Sequence, residues 1–304
     1  MERENKKSSV GKLKAIYARG ENILEFLKSE AGEINDPESI MISYDFQAGS
    51  YTRLAEENKA YLSRYTDAIA KVFKQLPNFK TIMEVGVGEA TLMNPLMERI
   101  DSRNEAQKFG FDISWSRTRY AKMNSSIAGN TVNLFTADLF SIPLPNNSID
   151  MIYTSHSLEP NGGREKEALR ELYRVARKCV VLLEPDYQNA NDEGKLRMEK
   201  HGYVRNLARH AVELGYKVIE NRPFDEHINP LNPTGLTVIE KYESSPYNEP
   251  KYICPVTRAI LTRSESVYFS QEGGLLYPVI DNIPCLQESV AVLALQYGKF
   301  HKTS

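Results

Sequence analysis

The stretch Ile82-Met-Glu-Val-Gly-Val-Gly-Glu-Ala90 decides the fold. It opens in a short apolar run, 81–85, with the length of a buried strand. Gly86 and Gly88 follow at once, and a helical pattern takes over at 91–100. A glycine turn between a strand and a helix lets a ligand approach the backbone, because no Cβ stands in the way. The turn lacks the third glycine of the dinucleotide fingerprint, whose place is held by Thr91. It also lacks the Lys-Ser/Thr pair of a phosphate-binding loop. A cofactor without phosphate would need neither.

Outward from this turn, apolar runs at 107–111, 132–136, 148–154 and 179–184 alternate with helical patterns at 116–128 and 165–177. The last helix is amphipathic through Ala168, Leu169, Leu172, Val175 and Ala176. Such alternation predicts parallel βαβ units. A helix over 196–214 and strands at 217–220 and 236–241 follow, the two strands suiting an antiparallel hairpin at a sheet edge. The expected fold is α/β, Rossmann-like, with a mostly parallel sheet of seven strands. Upstream, helical spacing runs over 13–27 and 51–76, with a polar turn at 32–37 and an aromatic, polar segment at 42–51. Residues 1–8 are polar and are expected to be disordered. Downstream, 243–250 reads as a linker, with Pro246 and Pro250 in it. Strand-like pieces at 251–254, 266–269 and 275–278 come next, then 283–286 and a short helix at 288–295. Three units result: 1–78, 79–243 and 251–298.

Composition narrows the class. With 304 residues the chain can build a sizeable core, and 41% hydrophobic with 26% charged residues is ordinary for a globular protein. A formal charge of −2 argues against a nucleic-acid partner. No run approaches the ~20 apolar residues that a bilayer span needs, and the charged start has no apolar run of a signal peptide behind it. Cys179, Cys254 and Cys285 are too few for a disulfide framework. The expectation is a cytoplasmic protein with reduced thiols and no membrane contact.

The strand ends carry the chemistry. Asp112, in Phe109-Gly-Phe-Asp-Ile-Ser114, falls where a Rossmann arrangement places a carboxylate on ribose hydroxyls. Asp138, at the end of the third strand, can accept from an adenine amine, and the fourth strand ends at Ser155-His156. Singly, each aspartate would also suit a helix N-cap. In order, at the carboxyl ends of parallel strands, they mark a ligand crevice.

These residues resemble the class I S-adenosylmethionine-dependent methyltransferases over about 80–241. The likeness rests on Glu84-Val-Gly-Val-Gly88, Gly110-Phe-Asp-Ile-Ser114, Ala137-Asp-Leu-Phe-Ser-Ile-Pro-Leu144, Asn147-Ser-Ile-Asp150 and Glu171-Leu-Tyr-Arg-Val175. It implies S-adenosyl-L-methionine as cofactor and S-adenosyl-L-homocysteine as product. Glu84, Gly86 and Gly88 would surround the methionine part. Asp112 and Ile113 would hold the ribose side, Asp138 and Leu139 the adenine, and Ser155 the floor near the methyl group. The family's Lys-Pro-Gly-Gly before strand five is replaced by Ala176-Arg-Lys178. Helices before strand one often form a lid in this family, which puts Tyr44, Gln47, Ser50 and Tyr51 over the cofactor or acceptor. Oxygen and nitrogen acceptors can need a base, and the candidates are His156, Glu159 and His201.

Tyr252-Ile-Cys-Pro-Val-Thr-Arg258 and Gly274-Leu-Leu-Tyr-Pro-Val-Ile-Asp-Asn-Ile-Pro-Cys-Leu286 resemble a small zinc-ribbon-like family that includes the activating subunit of RNA and release-factor methyltransferases. Cys254 and Cys285 each lack a Cys-x-x-Cys partner, so a metal-free version is expected, with its thiols acting as small buried hydrophobes. The leading expectation is an enzyme that methylates a small metabolite or glycan precursor at oxygen. The alternatives are an RNA or protein methyltransferase, and a cofactor-binding scaffold without activity.

Overall fold

The structure is a computed structural model and describes residues 10–31, 36–101, 103, 105–227, 229–241 and 247–300. The expected disorder at 1–8, most of the turn at 32–37 and much of the linker at 243–250 lie outside the described residues. Five helices come first: α1 (Val10–Ala18), α2 (Ile23–Ala31), α3 (Pro37–Phe46), α4 (Ser50–Glu57) and α5 (Lys59–Phe73). The alternating part follows as β1 (Thr81–Val85), α6 (Met93–Ile100), β2 (Gln107–Asp112), α7 (Trp115–Ile127), β3 (Val132–Thr136), β4 (Ile149–Ser155), α8 (Glu165–Val175) and β5 (Ala176–Pro185). Then come α9 (Asp192–His201), α10 (Leu207–Glu213), β6 (Lys217–Pro223) and β7 (Thr234–Glu240).

The seven strands form one sheet in the order β3-β2-β1-β4-β5-β7-β6. The first five are parallel, and β7 runs antiparallel to both β5 and β6. This is the mostly parallel seven-stranded sheet read from the sequence, with the terminal hairpin at its edge. Between β3 and β4 the chain crosses to the other side of β1. The carboxyl ends of β1 and β4 therefore flank a topological switch point, where open α/β sheets hold ligands.

Helices cover both faces of the sheet's centre, which is why β1, β4 and β5 read as apolar runs, whereas the edge strand β6 is largely exposed. Along β5, Val180 and Leu182 join one core with Leu169 and Leu172 of α8. Cys179, Val181 and Leu183 join the opposite core with Ile69 and Phe73 of α5 and Leu96 of α6. A smaller cluster of Leu13, Ile16, Ile23, Leu27 and Ile42 binds α1, α2 and α3 together. Among the described residues no helix is long and apolar enough to cross a membrane.

Periodicity merged several helices that the structure divides. The pattern at 13–27 breaks between α1 and α2 around Gly20, and that at 51–76 breaks at Asn58, between α4 and α5. The segment at 42–51 is mostly helical: Tyr44 lies in α3 and Tyr51 in α4, with a turn at 47–49. The helix expected over 196–214 is two helices. Gly202 closes α9 in the left-handed region at φ 67°, a conformation a glycine adopts without a Cβ penalty. The chain between α9 and α10 bonds instead to the loop after β4. Gly162 N donates to Gly202 O and Val204 N to Glu159 O, both at 3.0 Å.

Beyond residue 247 the chain forms a small antiparallel sheet. Its strands are β8 (Thr262–Ser264), β9 (Val267–Ser270), β10 (Leu275–Ile280), β11 (Ile283–Pro284) and β12 (Val292–Leu293), and α11 (Tyr297–Phe300) ends the described chain. The 251–254 piece makes only an isolated bridge, Ile253 to Ile260, and the helix expected at 288–295 is a single 3-10 turn followed by β12. Cys254, Leu261, Tyr277 and Leu286 belong to the same core as α8. Cys285 bridges Thr136, and Leu286 N donates to Thr136 O at 2.8 Å. The segment thereby covers the end of edge strand β3, whose backbone would otherwise be open to pairing.

Candidate active site

The crevice is built on the turn after β1. Gly86 adopts φ 67°, and Val87 N donates to Phe111 O at 2.8 Å, which ties the turn to β2. At the end of β2, Asp112 accepts from Gly88 N (3.0 Å) through one carboxylate oxygen and from Ser114 N (2.9 Å) through the other. Each oxygen keeps a lone pair for a further donor. Asp112, Ile113, Asp138, Leu139, Gly86, Ser155 and His156 all line one cleft, with Tyr44 and Tyr51 as its opposite wall. Asp138 fixes its own turn by accepting from Phe140 N at 2.9 Å. Burial, only partly offset by that bond, raises its pKa.

Not every expected residue reaches the cleft. Glu84 lies beneath the turn, buried, and accepts from the Tyr153 hydroxyl at 2.9 Å. Gly88 is covered by the Arg117 guanidinium, and a Cβ there would come within 2.6 Å of an Arg117 nitrogen. Gln47 and His201 line a neighbouring chamber instead.

His156 and Glu159 do come together. His156 stands in the left-handed region at φ 51°, a strained conformation of the kind found at functional sites. Its Nδ1 lies 2.8 Å from Glu159 Oε2, and its Nε2 lies 2.8 Å from Thr234 Oγ1. Asn232 Nδ2 also donates to Glu159, at 2.9 Å. Burial works against the imidazolium, but the hydrogen bond and charge of Glu159 outweigh it, and the His156 pKa rises. Burial likewise opposes the Glu159 carboxylate, and the pairing with His156 overrides it, so that pKa falls.

Three further residues escaped the sequence reading: Arg117, which lines the cleft, and Glu89 and Asp45, which fasten the helices around it. Arg117 is 8% exposed, and its guanidinium carbon lies 5.0 Å and 4.3 Å from the ring centres of Tyr44 and Tyr51. Its Nε has no hydrogen-bond partner among the described residues. Glu89 caps α4 from a distance, accepting from Gly49 N (2.9 Å) and Thr52 N (2.7 Å). Asp45 of α3 accepts from Ser114 Oγ at 2.7 Å and Ser116 N at 3.1 Å, at the start of α7. Glu89 and Asp45 thus bolt the N-terminal helices to the glycine turn and to α7. Only Glu89 carried a signal, as the residue directly after the second glycine.

Residues 82–179 match a methyltransferase domain. The matched stretch spans about a third of the chain and contains the glycine turn, both aspartates and the His156–Glu159 pair. Among solved structures, the chain is similar to magnesium protoporphyrin IX methyltransferase from Synechocystis PCC 6803. With bound SAH the identity is 13% and the TM-score 0.52, covering 68% of this chain and 100% of that one. With bound SAM the identity is 13% and the TM-score 0.50, covering 69% and 99%. A SAM dependent methyltransferase from Aquifex aeolicus gives 19% identity and a TM-score of 0.43, covering 56% and 87%. At such identities the likeness speaks for the fold alone. No curated protein sequence matches the chain.

The buried Glu84 gives the fold a testable pH response. Burial pushes its pKa up to about 8, against the pull of the Tyr153 hydrogen bond. The folded value exceeds the unfolded one, so the folded chain holds this proton more tightly. Its contribution is whole below the ordinary carboxyl range and is lost as pH rises towards 8. Each pH unit in that window removes up to about 1.4 kcal/mol of stability. Glu184, raised mainly by burial to about 7, acts in the same direction. Glu84→Gln is expected to flatten the fall without abolishing it. Urea unfolding of both proteins at about pH 5 and about pH 9 measures this, and equal slopes would refute the assignment.

Proposed function

We propose that this chain is an S-adenosylmethionine-dependent methyltransferase acting on a small metabolite or glycan precursor, at oxygen. The observation that carries the reading is the convergence of Gly86, Asp112, Asp138 and Ser155 in one cleft at the switch point, opposite Tyr44 and Tyr51. The donor set fits the cofactor. Asp112 has lone pairs left for the ribose hydroxyls, and Asp138 with Leu139 suits the adenine. Arg117, buried with an unpartnered Nε, suits the carboxylate of the methionine part. When bound, S-adenosylmethionine supplies an electrophilic methyl group.

The residues of this chain orient the partners and exclude water. In this reading α1–α4 form the lid, and Tyr44 and Tyr51 close the cleft. His156 has both ring nitrogens engaged by Glu159 and Thr234, which suits it to position Glu159 better than to remove a proton. An acceptor that arrives already ionised needs no base. Residues 251–298 form a small zinc-ribbon-like unit that shields the edge of β3. The three units expected from the sequence, and a cytoplasmic location, remain part of the proposal.

Calorimetric titration with S-adenosylmethionine, S-adenosylhomocysteine and, as control, NADH tests the reading. Binding of the first two and not of NADH is expected. Asp112→Ala is expected to weaken S-adenosylhomocysteine by about 1–3 kcal/mol, because it leaves ribose donors unpaired. Unchanged affinity would remove Asp112 from the ribose.

A further inference from the structure

Beside the cofactor cleft lies a second chamber that shares Tyr44, Tyr51 and Pro160 with it. Ser43 and Gln47 of α3, Glu159, and Arg197, His201 and Tyr203 on and after α9 line it. We propose that this chamber binds the acceptor through an anionic group, a carboxylate or a phosphate, held by Arg197. The assignment of that molecule as the methyl acceptor rests on the proposed methyltransferase function; the anion site itself does not.

The charges of the chamber single out Arg197. Two carboxylates face it, and both are answered by other groups. Glu25 pairs with Lys200 (3.0 Å) and His201 (3.6 Å). Glu159 pairs with His156 (2.8 Å), accepts from Asn232 and is hydrogen-bonded by the Tyr203 hydroxyl. Arg197 lies with its guanidinium carbon 5.5 Å from the Tyr203 ring centre and hydrogen-bonds the Tyr203 hydroxyl, while its Nη1 is buried with no acceptor among the described residues. A buried guanidinium nitrogen is rarely left without an acceptor. Its planar fork matches a carboxylate or phosphate in two parallel bonds. Ser43 and Gln47, hydrogen-bonded to each other at 3.3 Å, add uncharged polar groups to the lining. The shared residues then mark the route: an acceptor anchored at Arg197 reaches past Pro160, between Tyr44 and Tyr51, into the cleft.

The sequence reading pointed to His201 and Tyr203 but gave Arg197 no role. His201 and Tyr203 face it only because Gly202 ends α9 and the following backbone bonds to the loop that carries Glu159. The same bonds hold Arg197, one helical turn before His201, against that loop.

The test uses the full chain saturated with S-adenosylhomocysteine and titrated with benzoate, phenyl phosphate and benzamide. Benzoate or phenyl phosphate is expected to bind and benzamide, the neutral analogue, is not. The stronger of the two anions identifies the group that the chamber takes. Arg197→Gln is expected to weaken the anion about tenfold or more while leaving S-adenosylhomocysteine affinity unchanged. Arg197→Lys, which keeps the charge and loses the fork, should recover part of the loss. Benzamide binding as well as benzoate, or an Arg197→Gln protein that binds the anions normally, would overturn the proposal. If the wild-type chain prefers the anions and fails to bind S-adenosylhomocysteine, the anion site stands and the methyltransferase reading falls. If it binds S-adenosylhomocysteine and shows no preference for anions, the cofactor site stands and the anion site falls.

Discussion

Replacing Glu171 by Ala is expected to destabilise the protein by about 3 kcal/mol. Glu171, in α8, is 7% exposed and accepts from Ile142 N at 2.7 Å, in the loop between β3 and β4. Arg174, one turn on, binds both Glu171 oxygens at 2.8 Å. It also donates to the carbonyls of Leu144 and Ile142, both at 2.8 Å. Arg258, from the segment before β8, reaches Glu171 at 3.3 Å. One carboxylate therefore answers two guanidinium groups and a buried backbone N–H, and joins three stretches of chain. Its removal leaves Ile142 N without an acceptor and the partly buried Arg174 without its counter-charge. Urea unfolding at neutral pH reads the loss. A change below about 0.5 kcal/mol, the range of an ordinary surface substitution, would show that the network contributes little. Glu171→Gln separates charge from shape, and is expected to recover the bond to Ile142 N while losing the ion pair.

Gly86→Val is expected to cost more than about 3 kcal/mol of stability and to abolish S-adenosylhomocysteine binding. Two separate effects act at this position. The backbone adopts φ 67°, which a β-branched residue strongly disfavours. A Cβ would also lie 2.3 Å from the Ser157 Cβ, in the turn after β4, so one of the two strand ends must move. Those ends flank the cleft, and a shift there separates Gly86 from Ser155 and His156. Gly86→Ala carries the same backbone strain with a smaller side chain, and should lose stability by a smaller amount. Stability and ligand affinity are read independently, by unfolding and by calorimetry. A Gly86→Val protein that bound S-adenosylhomocysteine normally would detach the turn from the cofactor.

Much of the fold was legible in local pattern. All seven strands of the main sheet were placed within a few residues, the central ones because strands covered on both faces must be apolar at nearly every position. Cys179 to Leu183 feed two cores in alternation, so the whole run reads as buried. The sequence also determined the strand-end positions of Gly86, Asp112, Asp138, Ser155 and His156, since each sits where an apolar run stops. Helix limits were less legible. Apolar spacing continues across Gly20, Asn58 and Gly202, and a helix ends there only where its backbone finds other partners.

Tertiary structure decided what those residues meet. Asp112 had a place in the sequence, but not the bond to Gly88 N that ties it to the turn. His156 was legible as a polar strand end. Its capture between Glu159 and Thr234 required β7, which is remote in sequence, to fold beside β5. Nothing in the sequence set Arg117 apart within the polar helix α7; its place against Tyr44 and Tyr51 comes from the packing of α3 and α4. Hydrophobic period reports which face of an element is buried, and glycine and aspartate report where the backbone turns. Neither reports which distant side chain will answer a buried charge, because that depends on how the packed elements converge.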